Sequence, residues 1–408
     1  MNNSTQQPRI PQLRFPAFDG EWEKFILGEI ATFGKGKNIS KSDISEDGVL
    51  ECIRYGELYT EYNEVISEVK SKTNLPISSL ILSEENDVLI PASGETRIDI
   101  ATASCVKKAG VALGGDLNII KTKKNGVYLS YYLNSEKKFD IARLAQGNSV
   151  VHVYNSQLKT LKLNFPSQLE QQKIATFLTA VDDKISQLTS KKEQLTQYKK
   201  GVMQQLFSQE LRFQDENGKQ FPDWEEKRLG EVLKQQIREI PKPKQNYLAI
   251  GIRSHVKGTF QKPDSDPNKI AMKKLFVVKE NDLVVNITFA WEGAIAIVKK
   301  EDDGGLVSHR FPTYTFKENQ TCYEYFKHII VDKKFRFTLD LISPGGAGRN
   351  RVLSKKEFLK IKWSFPSLKE QQKIATYLSA LDDKIEAVQV QIEKTQEFKK
   401  GLLQQLFV

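Results

Sequence analysis

The chain has 408 residues, enough for two to four domains of ordinary size, with 39% hydrophobic and 10% aromatic side chains from which to build cores. No run of eighteen apolar residues occurs, which argues against a membrane-spanning helix, and three scattered cysteines argue against a disulfide framework or a zinc cluster and fit a reducing cytoplasm. The net charge of +10 favours a polyanionic partner through phosphate neutralisation and counterion release.

In chain order, residues 1–14 are polar, lack the apolar run of a secretory signal and read as a flexible leader. Residues 15–164 form a first globular segment. Short apolar runs between turn residues predict strands at 80–82, 88–90 and 117–120, and an amphipathic helix spans 128–144. Residues 1–165 carry 20 basic and 20 acidic side chains, so any anion-binding surface here rests on local clustering.

Residues 165–207 predict one long helix. Ser167 and Glu170 fit an S-x-x-E capping box after Pro166. From Ile174 to Leu206 a seam of residues at alternating spacings of four and three is apolar except at Lys192 and Lys199, a heptad pattern. Gly201 costs such a helix about 1 kcal/mol relative to alanine, but the seam resumes beyond it.

A second globular segment, 208–364, holds the charge excess, 29 basic against 21 acidic side chains. Strands are expected at 283–285 and 294–298 and a helix over 322–341. Residues 365–408 then predict a second long helix, with Ser367 and Glu370 as the capping box and a seam from Ile374 to Leu406 broken only at Thr395 and Lys399.

The two helices are one sequence used twice. Residues 165–176, FPSQLEQQKIAT, return as 365–376, FPSLKEQQKIAT, and the 200-residue offset also relates Asp182, Asp183, Lys184 and Ile185 to Asp382, Asp383, Lys384 and Ile385. The globular segments echo each other faintly. Trp22-Glu23 and Leu27-Gly28-Glu29-Ile30 match Trp224-Glu225 and Leu229-Gly230-Glu231-Val232, and Glu85-Asn86-Asp87 matches Glu280-Asn281-Asp282. The chain is a tandem duplication in which one scaffold carries two different surfaces.

Burying one seam side chain gains about 1.5–3 kcal/mol, so the helices are expected to pair. If the ends of the second globular segment lie close together they pair antiparallel, giving an α+β pseudo-twofold dumbbell. Residues 170–207 span about 57 Å at about 1.5 Å per residue, a ruler for two DNA sites roughly one helical turn apart.

Arg and Lys suit guanine, Asn and Gln adenine, and Ser or Thr either. On that chemistry the candidate DNA contacts are Lys35, Lys37, Asn38, Arg54, Tyr55, Ser93, Thr96 and Arg97 in the first segment. In the second they are Arg253, Ser254, His255, Lys257, Asn286, Thr288, Arg310, Arg349, Asn350 and Arg351, each with a solvated surface group as the competing reading. The glycine-rich loop 345–351 suits close phosphate approach, or is a flexible turn.

Three patterns imitate catalysis. Gly28 to Lys35 resembles a phosphate loop but has five residues between its glycines and Gly36 where a Ser or Thr belongs. Asp223, Glu225, Glu226 and Lys227 imitate a nuclease's acidic cluster. The four histidines, His152, His255, His309 and His328, lack metal-ligand spacing. No catalytic or metal residue is assigned.

The doubled F-P-S-x-x-E-Q-Q-K-I-A-T segment, with the Trp-Glu and Leu-Gly-Glu openings, resembles the specificity (S) subunit of type I restriction–modification systems from about Phe15 onward. The resemblance implies two target recognition domains separated by two long antiparallel coiled-coil helices, each domain reading half of a bipartite double-stranded DNA site. It implies a non-catalytic chain that joins two methyltransferase (M) subunits and motor-nuclease (R) subunits, with S-adenosylmethionine, ATP and magnesium belonging to those partners. Exposed Gln171, Gln172, Gln371 and Gln372 are candidates for partner docking, or ordinary solvated helix residues. A coiled-coil protein scaffold and a stand-alone bipartite DNA regulator remain the alternatives.

Overall fold

A serine three residues before a glutamate starts each long helix. Ser167 Oγ accepts the N–H of Glu170 at 3.3 Å, and Ser367 Oγ that of Glu370 at 3.4 Å, meeting one donor that a helix start leaves open. The helices occupy Gln168–Phe207 and Leu368–Gln405 and continue through Gly201 and Gly401. The reciprocal half of the capping box is replaced. The Glu170 and Glu370 carboxylates, 1% and 0% exposed, each bind a guanidinium in two-pronged fashion, Arg14 at 2.8 and 2.8 Å and Arg212 at 3.2 and 2.9 Å. A charged fork of this kind outcompetes a single backbone N–H.

The computed structural model describes residues 10–343 and 351–408, which fall into two compact units, Met1–Lys191 with Val388–Val408, and Lys192–Ala387. Most of the expected leader, residues 1–9, lies outside the described residues. Its last two residues are fastened, Leu13 through its N–H to Gln405 O at 2.9 Å and Arg14 through Glu170. Among the described residues no helix is long and apolar enough to cross a membrane.

Both units are mixed α/β, and all five strands expected from the sequence are present. In the first unit a five-stranded sheet runs Ala31–Lys35, Leu117–Thr122, Val88–Pro91, Ser104–Val106, Val65–Ile66. A four-stranded sheet runs Ser71–Thr73, Leu50–Ile53, Ala112–Leu113, Ile81–Leu82. In the second unit a four-stranded sheet runs Leu233–Gln236, Thr313–Phe316, Leu283–Val285, Ile295–Ile297. Its five-stranded sheet runs Glu239–Pro241, Lys274–Val277, Leu306–Val307, Tyr247–Ile252, Thr259–Ser265. Each expected helix is a pair broken by a turn, Gly126–Ser135 with Lys138–Leu144, and Tyr323–Ile329 with Lys333–Leu341.

The faint echoes between the units are turn chemistry. Asn86 and Asn281 sit at φ +78° and +65°, a left-handed conformation that asparagine tolerates. The next residue closes the turn, Asp87 accepting the N–H of Glu84 and Asp282 that of Lys279, both at 2.8 Å. Gly28 and Gly230 lie where a Cβ would approach Lys159 O at 3.0 Å and Leu359 O at 3.2 Å.

The seam is buried within each unit, and the start of one helix lies against the end of the other, which is antiparallel pairing. In the first unit Ile174, Leu178 and Val181 share a core with Leu402, Leu406 and Phe407; in the second, Val202 and Leu206 share one with Ile374, Leu378 and Leu381. Two of the polar seam positions are neutralised there, Lys399 by Asp182 at 2.7 Å and Lys199 by Asp382 at 2.5 Å.

Near Lys199 lies His328, 2% exposed, with Nε2 lacking a partner among the described residues. Burial, then Lys199 and Lys327, push its pKa down to about 3 from 6.5. The native state keeps it neutral while the unfolded chain takes up a proton below pH 6.5. Its contribution is therefore intact above pH 6.5 and is lost as pH falls from 6.5 toward 3, by at most about 1.4 kcal/mol per pH unit. Denaturant titrations of the wild type and His328→Phe across that window are expected to differ in slope; parallel slopes refute this account.

Candidate nucleic-acid interface

Loops at strand ends carry side chains that the sheets hold in place without burying them. In both units a strand ending in Ile-Arg pairs in parallel with the strand that leads into a second loop. Leu50–Ile53 precedes Arg54 and pairs with Ala112–Leu113; Tyr247–Ile252 precedes Arg253 and pairs with Leu306–Val307. The strands Val88–Pro91 and Leu283–Val285 bring in a third loop. Sequence-remote loops thus meet at one edge of each unit.

In the first unit Gly36 lets the chain after Lys35 cross the 113–116 loop. A Cβ there would lie 2.0 Å from Gly114 O, and Lys37 N and Gly115 N close the crossing on Leu113 O at 2.9 Å and Asn38 O at 2.6 Å. Asn38 and Tyr55 line an open cleft beside Asp116. Asn38 also spends its Nδ2 on Ser79 O at 2.9 Å. Lys35 lies 6.0 Å from the ring of Tyr154, which stacks on His152. Lys37 and Arg97 are exposed. Arg54 is held by Glu57 at 3.2 Å, and Thr96 donates to Asp99 at 2.6 Å. Ser93 is 4% exposed in a strand pair with His152, so as a base contact it is a misassignment.

In the second unit the 253–258, 286–294 and 308–312 loops are laced together. His255 N and Val256 N donate to Glu292 O and Gly293 O at 2.7 and 2.8 Å, and Ile287 N donates to Arg310 O at 3.0 Å. Arg310 is exposed and touches Thr288 Oγ1 at 3.3 Å; His255 and Lys257 are exposed. Other candidates are occupied. Ser254 donates to Glu292 at 2.7 Å, and Arg253 lies over Phe260 and donates to Thr259 O. Arg351 stacks on Trp291 at 5.0 Å, bonds Ser343 O and pairs with Asp340 at 2.6 Å. Asn286 is buried and its Oδ1 accepts the N–H of Thr288 at 3.1 Å, so it shapes the loop and does not read a base. Arg349 and Asn350 lie outside the described residues.

Two of the four glutamines expected on the surface are core residues. Gln171 and Gln371 are both 0% exposed and bond Pro166 O and Pro366 O, each at 2.9 Å, within their own units. Gln172 and Gln372 are exposed and border clefts that also include Thr176 and Ala180, and Thr376 and Ala380.

The catalytic imitations dissolve into local structure. Gly28 lies in the one-turn helix Leu27–Ile30 and Gly34 in the strand Ala31–Lys35. Glu225 and Glu226 point to opposite faces of a strand, toward Lys227 and Lys362 at 3.0 and 2.7 Å. Among the described residues no group of three or more His, Cys, Asp or Glu is placed to hold a metal.

Sequence reasoning missed the aromatic Phe289, 45% exposed at a loop tip, and Arg336, which lies against Gly293 and has no ion-pair partner among the described residues. It also missed a further repeat, Leu13-Arg14-Phe15 against Leu211-Arg212-Phe213, whose arginines hold the two buried glutamates.

Residues 19–197 and 222–395 match the family described as type I restriction modification DNA specificity domain. The chain is 24% identical over 401 residues, 94% of this chain and 91% of the relative, to the type I restriction enzyme MjaVIII specificity subunit of Methanocaldococcus jannaschii. In fold it is similar to the type I restriction–modification S subunit from M. genitalium, with TM-score 0.63 at 17% identity, covering 98% of this chain and 99% of that one. A chain from a study of complex assembly and conformational transition of the type I restriction–modification system aligns with TM-score 0.51 at 15% identity, covering 94% and 95%. Each matched stretch runs from the opening of a globular segment into a long helix, and the chain therefore belongs, twice over, to the type I restriction–modification DNA specificity family.

Proposed function

We propose that this chain is the DNA specificity subunit of a type I restriction–modification complex. Each unit reads one half of a bipartite target, and the repeated helices set the unspecified spacer. The observation that carries the reading is a frame duplicated down to its buried Arg–Glu pairs, bearing strand-end loops that share almost nothing. Loops of that kind suit two different sequences.

The chain's own contribution is binding and positioning. Methyl transfer and DNA translocation would belong to methyltransferase and motor-nuclease partners, with S-adenosylmethionine, ATP and magnesium held there. Support for docking on the helices comes from Gln172 and Gln372, which recur at the same heptad place and each border an open cleft. A pure scaffold or a stand-alone regulator has no comparable support.

The test is single-molecule methylome sequencing of DNA modified by this chain together with its methyltransferase. One split motif is expected. Exchanging residues 1–164 for another recognition segment is expected to alter one half-site only, and equal insertions in both helices to lengthen the spacer. Changes in both half-sites, or an unchanged spacer, would count against the reading. DNA binding without any partner would favour a regulator.

A further inference from the structure

Within the second unit, the described loops that expose Arg253, His255, Lys257, Phe289 and Arg310 are laced together by their backbones. Asn286 closes an Asx turn on Thr288, Phe289 N donates to Asn286 O at 3.1 Å, and Glu292 N and Ala294 N donate back to Phe289 O at 3.0 and 3.1 Å. This turn leaves the Phe289 ring 45% exposed. The adjoining loop holds His255 and the β-branched Val256 at φ +61° and +55°, a strained conformation that persists only where the surroundings enforce it. Beside them Arg310 is exposed and makes one long hydrogen bond, to Thr288, leaving most of its donors unspent. By contrast Arg351 is tied down by carbonyls, a carboxylate and a ring, and Arg253, though exposed, lies across the Phe260 ring at 5.2 Å and bonds Thr259 O at 3.3 Å.

From this sorting we infer that Arg310 and Phe289 are the specificity-determining pair of the second unit. The inference rests on the DNA-reading function proposed above. Arg310 is the base reader: its planar fork matches the O6 and N7 acceptors of guanine in the major groove, and Thr288 sets its approach. Phe289 is the apolar contact, packing against a thymine methyl or an opened base step, which an aromatic ring does independently of base hydrogen bonding. Arg336, whose Nε has no hydrogen-bond partner among the described residues, supports the same face as a phosphate contact.

The test uses the full chain with its methyltransferase. Arg310→Ala is expected to relax one G·C position in one half-site, with discrimination there falling roughly 5- to 150-fold and the other half-site unchanged. Arg310→Lys keeps the charge and is expected to relax the same position while preserving non-specific affinity. Phe289→Ala is expected to weaken binding to cognate DNA and to leave the arginine-read position intact. Thermal melts of all three variants are expected to match the wild type. If Arg310→Ala and Arg310→Lys both leave every position of the motif as sharp as in the wild type, the inference is overturned. A wild-type complex that yields no split motif would instead defeat the underlying function.

Discussion

Replacing Arg14 by alanine is expected to cost the first unit about 3–5 kcal/mol, because it strips the 1% exposed Glu170 carboxylate of its two-pronged guanidinium partner. Arg212→Ala performs the same deletion in the second unit and is expected to cost less. There Trp224 Nε1 still donates to Glu370 at 3.2 Å, whereas the corresponding Trp22 Nε1 is buried without a partner among the described residues. The gap between the two variants should approach about 1.5–3 kcal/mol, the size of a hydrogen bond to a charged group. Hydrogen exchange resolved by unit, or denaturation followed through Trp22 for the first unit alone, reads the difference. Equal losses would mean that the tryptophan bond carries no weight. A paired Arg14→Leu, Glu170→Leu variant should recover most of the loss, since removing both charges removes the stranded one.

Gly36→Ala is expected to be a severely damaging single-methyl change in the first unit. The new Cβ would sit 2.0 Å from Gly114 O and 2.8 Å from Leu113 O, and backbone cannot rotate away as a side chain can. Forcing these strand-end segments apart should cost about 3 kcal/mol or more. It should also displace Lys37 and Asn38, which follow directly. The measurable consequence is selective: the half-site assigned to the first unit loses definition while the other stays sharp. Gly110→Ala is a control for generic glycine effects, since its neighbourhood is open and only its φ of +82° resists the change. Loss of both half-sites in Gly36→Ala would argue that the units do not read independently.

The parts of the fold written twice were legible in the sequence. The seam repeats at the heptad period, so its burial follows from spacing alone, and even the intruding Lys199 and Lys399 recur with Asp382 and Asp182 to meet them. The loops were not legible in the same way. Arg310 and Arg351 are chemically identical in the sequence. Arg310 keeps most of its donors open and Arg351 does not, because Asp340 and Trp291 come within reach of Arg351 in three dimensions. Asn286 and Thr288 differ likewise: the asparagine folds its own loop and leaves the threonine beside Arg310. The capping-box glutamates were misread for a related reason. Their true partners, Arg14 and Arg212, lie 156 and 158 residues away. Local spacing finds a helix start but not a distant cation.

The first unit draws part of its interior from the far end of the chain: Leu402, Leu406 and Phe407 pack with Tyr128, Tyr132 and Phe165, and Tyr132 Oη donates to Val408 O at 3.0 Å. During synthesis this unit is the earlier to emerge from the ribosome and the later to finish, because its last wall arrives some two hundred residues after its first long helix. The second unit, contiguous from Lys192 to Ala387, has no such wait. A nascent chain would therefore carry an unsealed upstream half throughout the synthesis of the downstream one. Deleting residues 402–408 would injure the half made first.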